Sequence, residues 1–167
     1  MATVTMKGNP VSLKGTFPTK GSQAPDFDLV DKDLKDTSLS DFKGKKKIIS
    51  IVPSLDTPTC SLSTKKFNDA ALKDKTWAFI TISCDLPFAQ KRFCISEEAK
   101  HVYTLSMMRS KKFAEDYGVL IQDGPLAGLC TRAVVVLNED NKVLHAELVS
   151  EIASEPDYKT ALEALNC

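Results

Sequence analysis

The stretch KIISIVPSLDTPTCSLSTKKF, Lys47 to Phe67, decides how this chain is built. Its first six residues, KIISIV, form a β-branched run, the pattern of a strand covered on both faces. Small and polar residues follow. A helical pattern then starts around a lone cysteine, Cys60, and runs to about Leu72. Thr57 suits an N-cap and Pro58 suits the first helical position, which places Cys60 in the first turn. Unpaired backbone N–H groups and the positive end of the helix dipole lie there, and both favour a thiolate over a thiol. The thiolate is the reactive form of cysteine. A structural cysteine would sit more naturally inside the strand. Cys60 is therefore a candidate nucleophile on a strand–loop–helix unit, with Pro53 shaping the loop and keeping water away.

Outward from this unit, strands and helices alternate. Val4 and Met6 alternate with polar residues, GNP supplies a turn, and Val11 and Leu13 alternate again, which predicts an N-terminal hairpin. The segment GSQAPDFDLVDKDLKDTSLSDFKGKK reads as a short strand, a turn and a polar lead-in. TWAFITISCD, Thr76 to Asp85, predicts a second central strand, and LPFAQKRFCISEEAKHVYT predicts a short helix and a loop. SKKFAEDYG, Ser110 to Gly118, predicts a helix closed by glycine, its charges on a solvated face. IQDGPLAGLC is a turn-rich connector. TRAVVVLN and KVLHAELV flank NEDN as a second hairpin, and Tyr158, Ala161, Leu162 and Leu165 mark an amphipathic terminal helix. The order predicts an α/β fold over residues 1–167 as one domain. It has a thioredoxin-like mixed central sheet, flanking helices and an added N-terminal β-hairpin.

Composition narrows the function. Lys plus Arg and Asp plus Glu number 22 each, so no nucleic-acid partner is implied. No signal peptide is visible and no stretch approaches the roughly 18 apolar residues of a membrane span, so a cytoplasmic location is the default expectation. The five cysteines, Cys60, Cys84, Cys94, Cys130 and Cys167, include no CxxC pair, and His101 and His145 are far apart and read as ordinary surface or strand residues. No zinc site, haem attachment or structural disulfide framework is expected, which leaves individual thiols.

The segment Pro53-Ser-Leu-Asp-Thr57-Pro-Thr-Cys60 resembles the PxxxTxxC motif of the peroxiredoxins, and more closely their thiol peroxidase branch. SCDLPFAQKRFC, YGVLIQDGPLAGL, RAVVVLN and SEPDYKTALEAL extend the resemblance over nearly the whole chain. It implies that Cys60 attacks the O–O bond of hydrogen peroxide or an organic hydroperoxide and becomes a sulfenic acid. It also implies that Thr57 orients the peroxide, that Pro53 shields the site and that Arg132 stabilises the charge. Cys94, after DLPFAQKRF, corresponds to the resolving thiol, closing a Cys60–Cys94 disulfide that thioredoxin or a similar thiol reductant reopens. A rearrangement is expected before those two sulfurs can meet. No metal or organic cofactor is needed, because a thiolate and a weak O–O bond suffice. A homodimer is implied, with the YGVLIQDGPLAGL connector and the Pro53 loop on its face.

The chain departs from the family after Cys94, where CISEEAKHV replaces a glycine-rich continuation, and at Cys130, where the family has an aliphatic or small residue. Cys84 shares a period-two face with Ile80 and Ile82 and reads as core, though it is also the alternative resolving thiol. Cys130 reads as packing, and Cys167 as an exposed terminal thiol. Two alternative functions stay open. One is a thiol-based peroxide sensor. The other is a general disulfide oxidoreductase, against which the lack of CxxC argues.

Overall fold

The β-branched run lies third from one edge of a seven-stranded sheet in the computed structural model, which describes residues 2–74 and 76–166. The strands are β1 (Thr3–Met6), β2 (Asn9–Lys14), β3 (Asp28–Val30), β4 (Asp36–Ser38), β5 (Lys46–Ile51), β6 (Trp77–Ser83), β7 (Tyr103–Ser106), β8 (Leu120–Ile121), β9 (Ala133–Leu137) and β10 (Val143–Leu148). The helices are α1 (Pro58–Lys73), α2 (Pro87–Ser96), α3 (Lys112–Asp116) and α4 (Tyr158–Ala164), with a 3₁₀ turn at Leu39–Phe42. The large sheet runs β10-β9-β5-β6-β7-β3-β4. β5, β6 and β7 are parallel neighbours, and the remaining pairings in this sheet are antiparallel. This is the mixed, thioredoxin-like sheet expected.

Strand alternation sorts the central residues into two layers. Ile49, Ile51, Ile80, Ile82, Val135 and Leu137 pack on one side with Phe113, Ala114 and Tyr117. Ile48, Phe79, Val134 and Val136 pack on the other with Phe67 and Ala71 of α1 and with Ala161 and Leu165 at the terminal helix. Each large apolar side chain so buried contributes about 1.5–3 kcal/mol relative to exposure. With both faces covered, β9 shows an unbroken apolar run, and β5 carries Ile48, Ile49 and Ile51 around a buried Ser50.

The N-terminal hairpin forms where the alternation placed it. Val4, Val11 and Leu13 are buried with Ile121 and Ile152, and β8 joins the hairpin as a third strand. The connector that reads as pure turn thus hides a two-residue strand, too short to give a period. Gly118 closes α3 at φ +66°. A Cβ there would come within 2.4 Å of the backbone at Thr16 and Phe17, so only glycine allows this close approach.

Two readings need correction. The mixed segment after β6 holds the ten-residue helix α2 and a further central strand, β7. Four residues, YTLS, leave no legible alternation, and parallel pairing with β6 supplies the strand. Cys84 is not strand core: β6 ends at Ser83, and Cys84 is half-buried at the rim of the larger core. Cys130 is fully buried, as a packing residue would be. His101 is exposed and His145 lies half-buried in β10. The terminal Cys167 lies outside the described residues.

Candidate active site

Cys60 occupies the third position of α1 and is 0% exposed. The helix starts as the sequence requires. Thr57 is the N-cap with an extended backbone, its Oγ1 accepts the Cys60 N–H at 3.4 Å, and Pro58 fills the first helical position. The Thr57 hydroxyl donates to Ser54 O at 3.1 Å. Its single proton is therefore spent within the loop, and the oxygen faces other groups as an acceptor. Around Cys60 lie Val52, Leu55, Phe93 and Ala99, with Cys94 partly buried against the same cluster. Pro53 is buried at the root of the loop.

The loop is held by Asp85, a residue the motif reading passed over. Its carboxylate accepts from Ser54 Oγ and Leu55 N, both at 2.7 Å, and from Ser83 Oγ at 2.8 Å. Ser83 Oγ accepts in turn from Gln90 Nε2 of α2 at 3.1 Å, and Gln90 Nε2 also donates to Leu105 O at 2.9 Å. A single polar chain thus ties the Cys60 loop to β6, β7 and α2. An aspartate just past a strand end is a common turn residue, so the sequence alone carried no signal for this role. Asp85→Ala should leave the Leu55 N–H without its acceptor, at about 1–3 kcal/mol of stability. Asp85→Asn, which keeps one acceptor oxygen, should lose less. Urea unfolding of the two variants checks the order, and equal stabilities would show that the carboxylate does not hold the loop.

Arg132 precedes β9. Because Ile51 pairs with Ala133 in antiparallel register, Arg132 lies alongside the β5 end from which the Cys60 loop springs. It is 2% exposed, its Nε donates to Ile152 O at 2.9 Å, and its Nη1 is buried with no partner among the described residues. Thr59 Oγ1 donates to Ala153 O at 3.0 Å. The segment 152–153 therefore anchors both the guanidinium and the first turn of α1. An unsatisfied buried guanidinium N–H is costly, and it is a ready donor to any oxygen that enters.

That segment is itself fastened by Glu151. Its carboxylate accepts from Thr5 Oγ1 at 2.7 Å, Lys7 N at 2.9 Å, Gly8 N at 3.1 Å and Ala153 N at 3.3 Å. The Thr5 hydroxyl, then the backbone N–H groups of Lys7 and Gly8, pull the Glu151 carboxyl from 4.5 down to about 2. A depressed carboxyl stabilises the fold above its unfolded value, and that contribution is lost as pH falls from 4.5 through 2. Wild type should therefore melt above Glu151→Gln at pH 6, and the gap should close near pH 2. A gap independent of pH would show that ionisation of Glu151 contributes nothing.

Cys94 lies on α2 and, like Cys60, is a free thiol. Burial pushes its thiol pKa up, partly offset by the Thr104 hydroxyl and by Lys32. Of the two cysteines, only Cys94 lines an opening. A cleft of about 420 Å³ lies between Thr57, Pro58 and Ser61 of the α1 start and Ala89, Arg92 and Phe93 of α2. Cys94 lines a separate groove of about 1160 Å³ with Lys32, Lys91 and Thr104. The structure thus brings Cys60, Thr57, Pro53 and Arg132 to one strand end. Cys94 joins the rim of the same apolar cluster, and Cys84 lies outside that cluster.

Residues 19–162 match the Redoxin family. The chain is 46% identical to the thiol peroxidase of Leptospira interrogans over 99% of its own length and 98% of that relative. It superposes on a peroxiredoxin-like protein from Aquifex aeolicus with a TM-score of 0.93 at 40% identity, covering 99% of this chain and 96% of the other. It superposes on a thiol peroxidase from Chromobacterium violaceum with a TM-score of 0.91 at 25% identity, again covering 99% and 96%. With the Cys60 helix, the loop and the fold all in agreement, the chain belongs to the redoxin family, among its thiol peroxidases.

Proposed function

We propose that residues 1–167 act as one domain that reduces peroxides with Cys60 as the nucleophile. The Cys60 thiolate attacks one peroxide oxygen, the O–O bond breaks, and the other oxygen leaves as water or an alcohol once protonated. Cys60 is then a sulfenic acid. The observation that carries this reading is the Arg132 Nη1, buried and without a partner among the described residues, beside the strand end that bears the Cys60 loop. A donor placed there meets the charge moving onto the departing oxygen. Thr57 Oγ1, with its own proton committed to Ser54 O, is suited to accept from the peroxide hydroxyl. Pro53 keeps the loop closed to water.

Cys94 then condenses with the sulfenic acid, expelling water and forming the Cys60–Cys94 disulfide. A dithiol protein of the thioredoxin type restores both thiols by exchange. Since Cys60 is buried in the first turn of α1 and Cys94 lies on α2, lining a groove that Cys60 does not reach, α2 has to shift for the bond to form. The helix is suited to this: Phe88 and Ile95 are 63% and 68% exposed, so its outer face holds little of the core. The substrates are hydrogen peroxide and organic hydroperoxides, and the chain works as a homodimer in the cytoplasm. No helix among the described residues is long and apolar enough to cross a membrane.

The deciding experiment is thiol titration after one equivalent of hydrogen peroxide. Wild type should lose two thiols, and Cys94→Ser should hold a sulfenic acid at Cys60 that a dimedone probe captures. An intramolecular disulfide still forming in Cys94→Ser would transfer the resolving role to Cys84 or another thiol. A wild type that loses no thiols would remove the peroxidase reading.

A further inference from the structure

Cys84 and Cys130 are far apart in sequence yet meet at the larger core, away from the Cys60 cluster. Cys84 packs against the core cluster that contains Cys130, and each thiol shifts the titration of the other. Cys84 Sγ donates at 3.7 Å to the carbonyl of Gly128, two residues before Cys130, and Cys130 Sγ donates at 3.6 Å to Sδ of Met107, whose N–H bonds the carbonyl of Ser83 beside Cys84. Lys111 Nζ donates to the same Gly128 carbonyl at 2.7 Å, which sets an ammonium beside Cys84. Cys84 is half-exposed, whereas Cys130 is 0% exposed. One sulfur is thus reachable from solvent next to a cation, at the rim of the core that buries the second.

We propose that Cys84 and Cys130 form a second dithiol that closes to an intramolecular disulfide by exchange with a low-molecular-weight disulfide. The Cys84 thiolate attacks one sulfur of the small disulfide. That S–S bond breaks, one small thiolate leaves, and Cys84 carries a mixed disulfide. The Cys130 thiol gives its proton to the departed thiolate and attacks Cys84 Sγ. The Cys84–Cys130 bond forms, and the second small thiolate leaves and takes a proton from water. Two protein thiols are oxidised, and one small disulfide is reduced to two thiols.

The division of roles follows from surroundings. The neighbouring Cys130, aided by the charge of Lys111, pulls the Cys84 thiol down to about 7 against burial and the nearby Asp85. Burial pushes the Cys130 thiol well up. An attacking thiol ionised near neutral pH and exposed to solvent, backed by a protonated buried one, is the arrangement that exchange requires.

The test uses the full chain as Cys60→Ser, Cys94→Ser, Cys167→Ser, which leaves only this pair, treated with oxidised glutathione at neutral pH. Two thiols should be lost. A non-reduced digest should contain the Cys84 peptide joined to the Cys130 peptide. Adding Cys130→Ala should stop the reaction at one lost thiol, with a glutathionyl group on Cys84. A stable glutathionyl Cys84 beside a free Cys130 in the parent, or two unreacted thiols, would overturn the proposal. If the multiple variant does not fold, the same digest of oxidised wild type decides. A Cys84–Cys130 pair supports the dithiol, whereas Cys84 paired only with Cys60 or Cys94, or unpaired, overturns it.

Discussion

Cys60→Ser is expected to abolish peroxide consumption. The loss follows from the nucleophile's chemistry. A serine hydroxyl does not ionise in the neutral range, and its oxygen is a hard nucleophile toward an O–O bond that a soft thiolate cleaves readily. No other cysteine should take over: Cys94 sits on a different helix with its thiol pKa raised by burial, and Cys84 lies outside the cluster around Cys60. The substitution also sets a hydroxyl among Val52, Leu55, Phe93 and Ala99, where it is expected to cost about 1–3 kcal/mol of stability. Cys60→Ala separates the two effects, since it removes the nucleophile without adding a polar atom. Peroxide decay monitored with a dithiol reductant should be flat for both variants, while thermal melting should place Ala above Ser. Residual turnover in both would move the nucleophile elsewhere.

Arg132→Gln is expected to lower the rate of Cys60 oxidation by roughly 10²–10³-fold, the usual effect of removing one donor that meets developing negative charge. The guanidinium is held in place by the Nε bond to Ile152 O and by burial, so its Nη1 needs no reorganisation when an oxygen arrives. Arg132→Lys keeps the positive charge but loses the planar fork that binds Ile152 O and points a second N–H into the site at the same time. It should recover only a small part of the lost rate. Stopped-flow oxidation, followed by Trp77 fluorescence or by quenched thiol counting, measures both. Rates for Lys equal to wild type would mean that charge alone is needed. Rates for Gln equal to wild type would remove Arg132 from the reaction.

These two residues show how differently sequence and structure bear on the same site. Cys60 was legible from short-range rules: an N-cap, a proline at the first helical position and a strand just before it act over a few residues, so their outcome is written locally. The central strands β5, β6 and β9 were legible for a related reason, because burial on both faces demands unbroken apolar runs. The hairpin β1–β2 declared itself by alternation about a turn. β7 and β8 did not, because strands of four and two residues are defined by the partner they pair with.

The supports of the site were decided only in three dimensions. Asp85 becomes a brace because the end of β6 lies beside the Ser54–Leu55 turn, and Glu151 because the first hairpin folds back on the segment that holds Arg132. The period-two reading set Cys84 on the side of Ile80 and Ile82, where it packs, but the strand stops one residue earlier and leaves it half-buried, its sulfur on the Gly128 carbonyl. A hydrogen bond between residues distant in sequence depends on the whole chain path, which no local pattern encodes. The sequence by itself therefore determined the layers and the placement of Cys60 in the first turn of α1, through apolar periodicity and helix-capping chemistry. Only the tertiary structure decided which carboxylates brace the Cys60 loop and the segment that holds Arg132, because those contacts exist only once the sheet has closed.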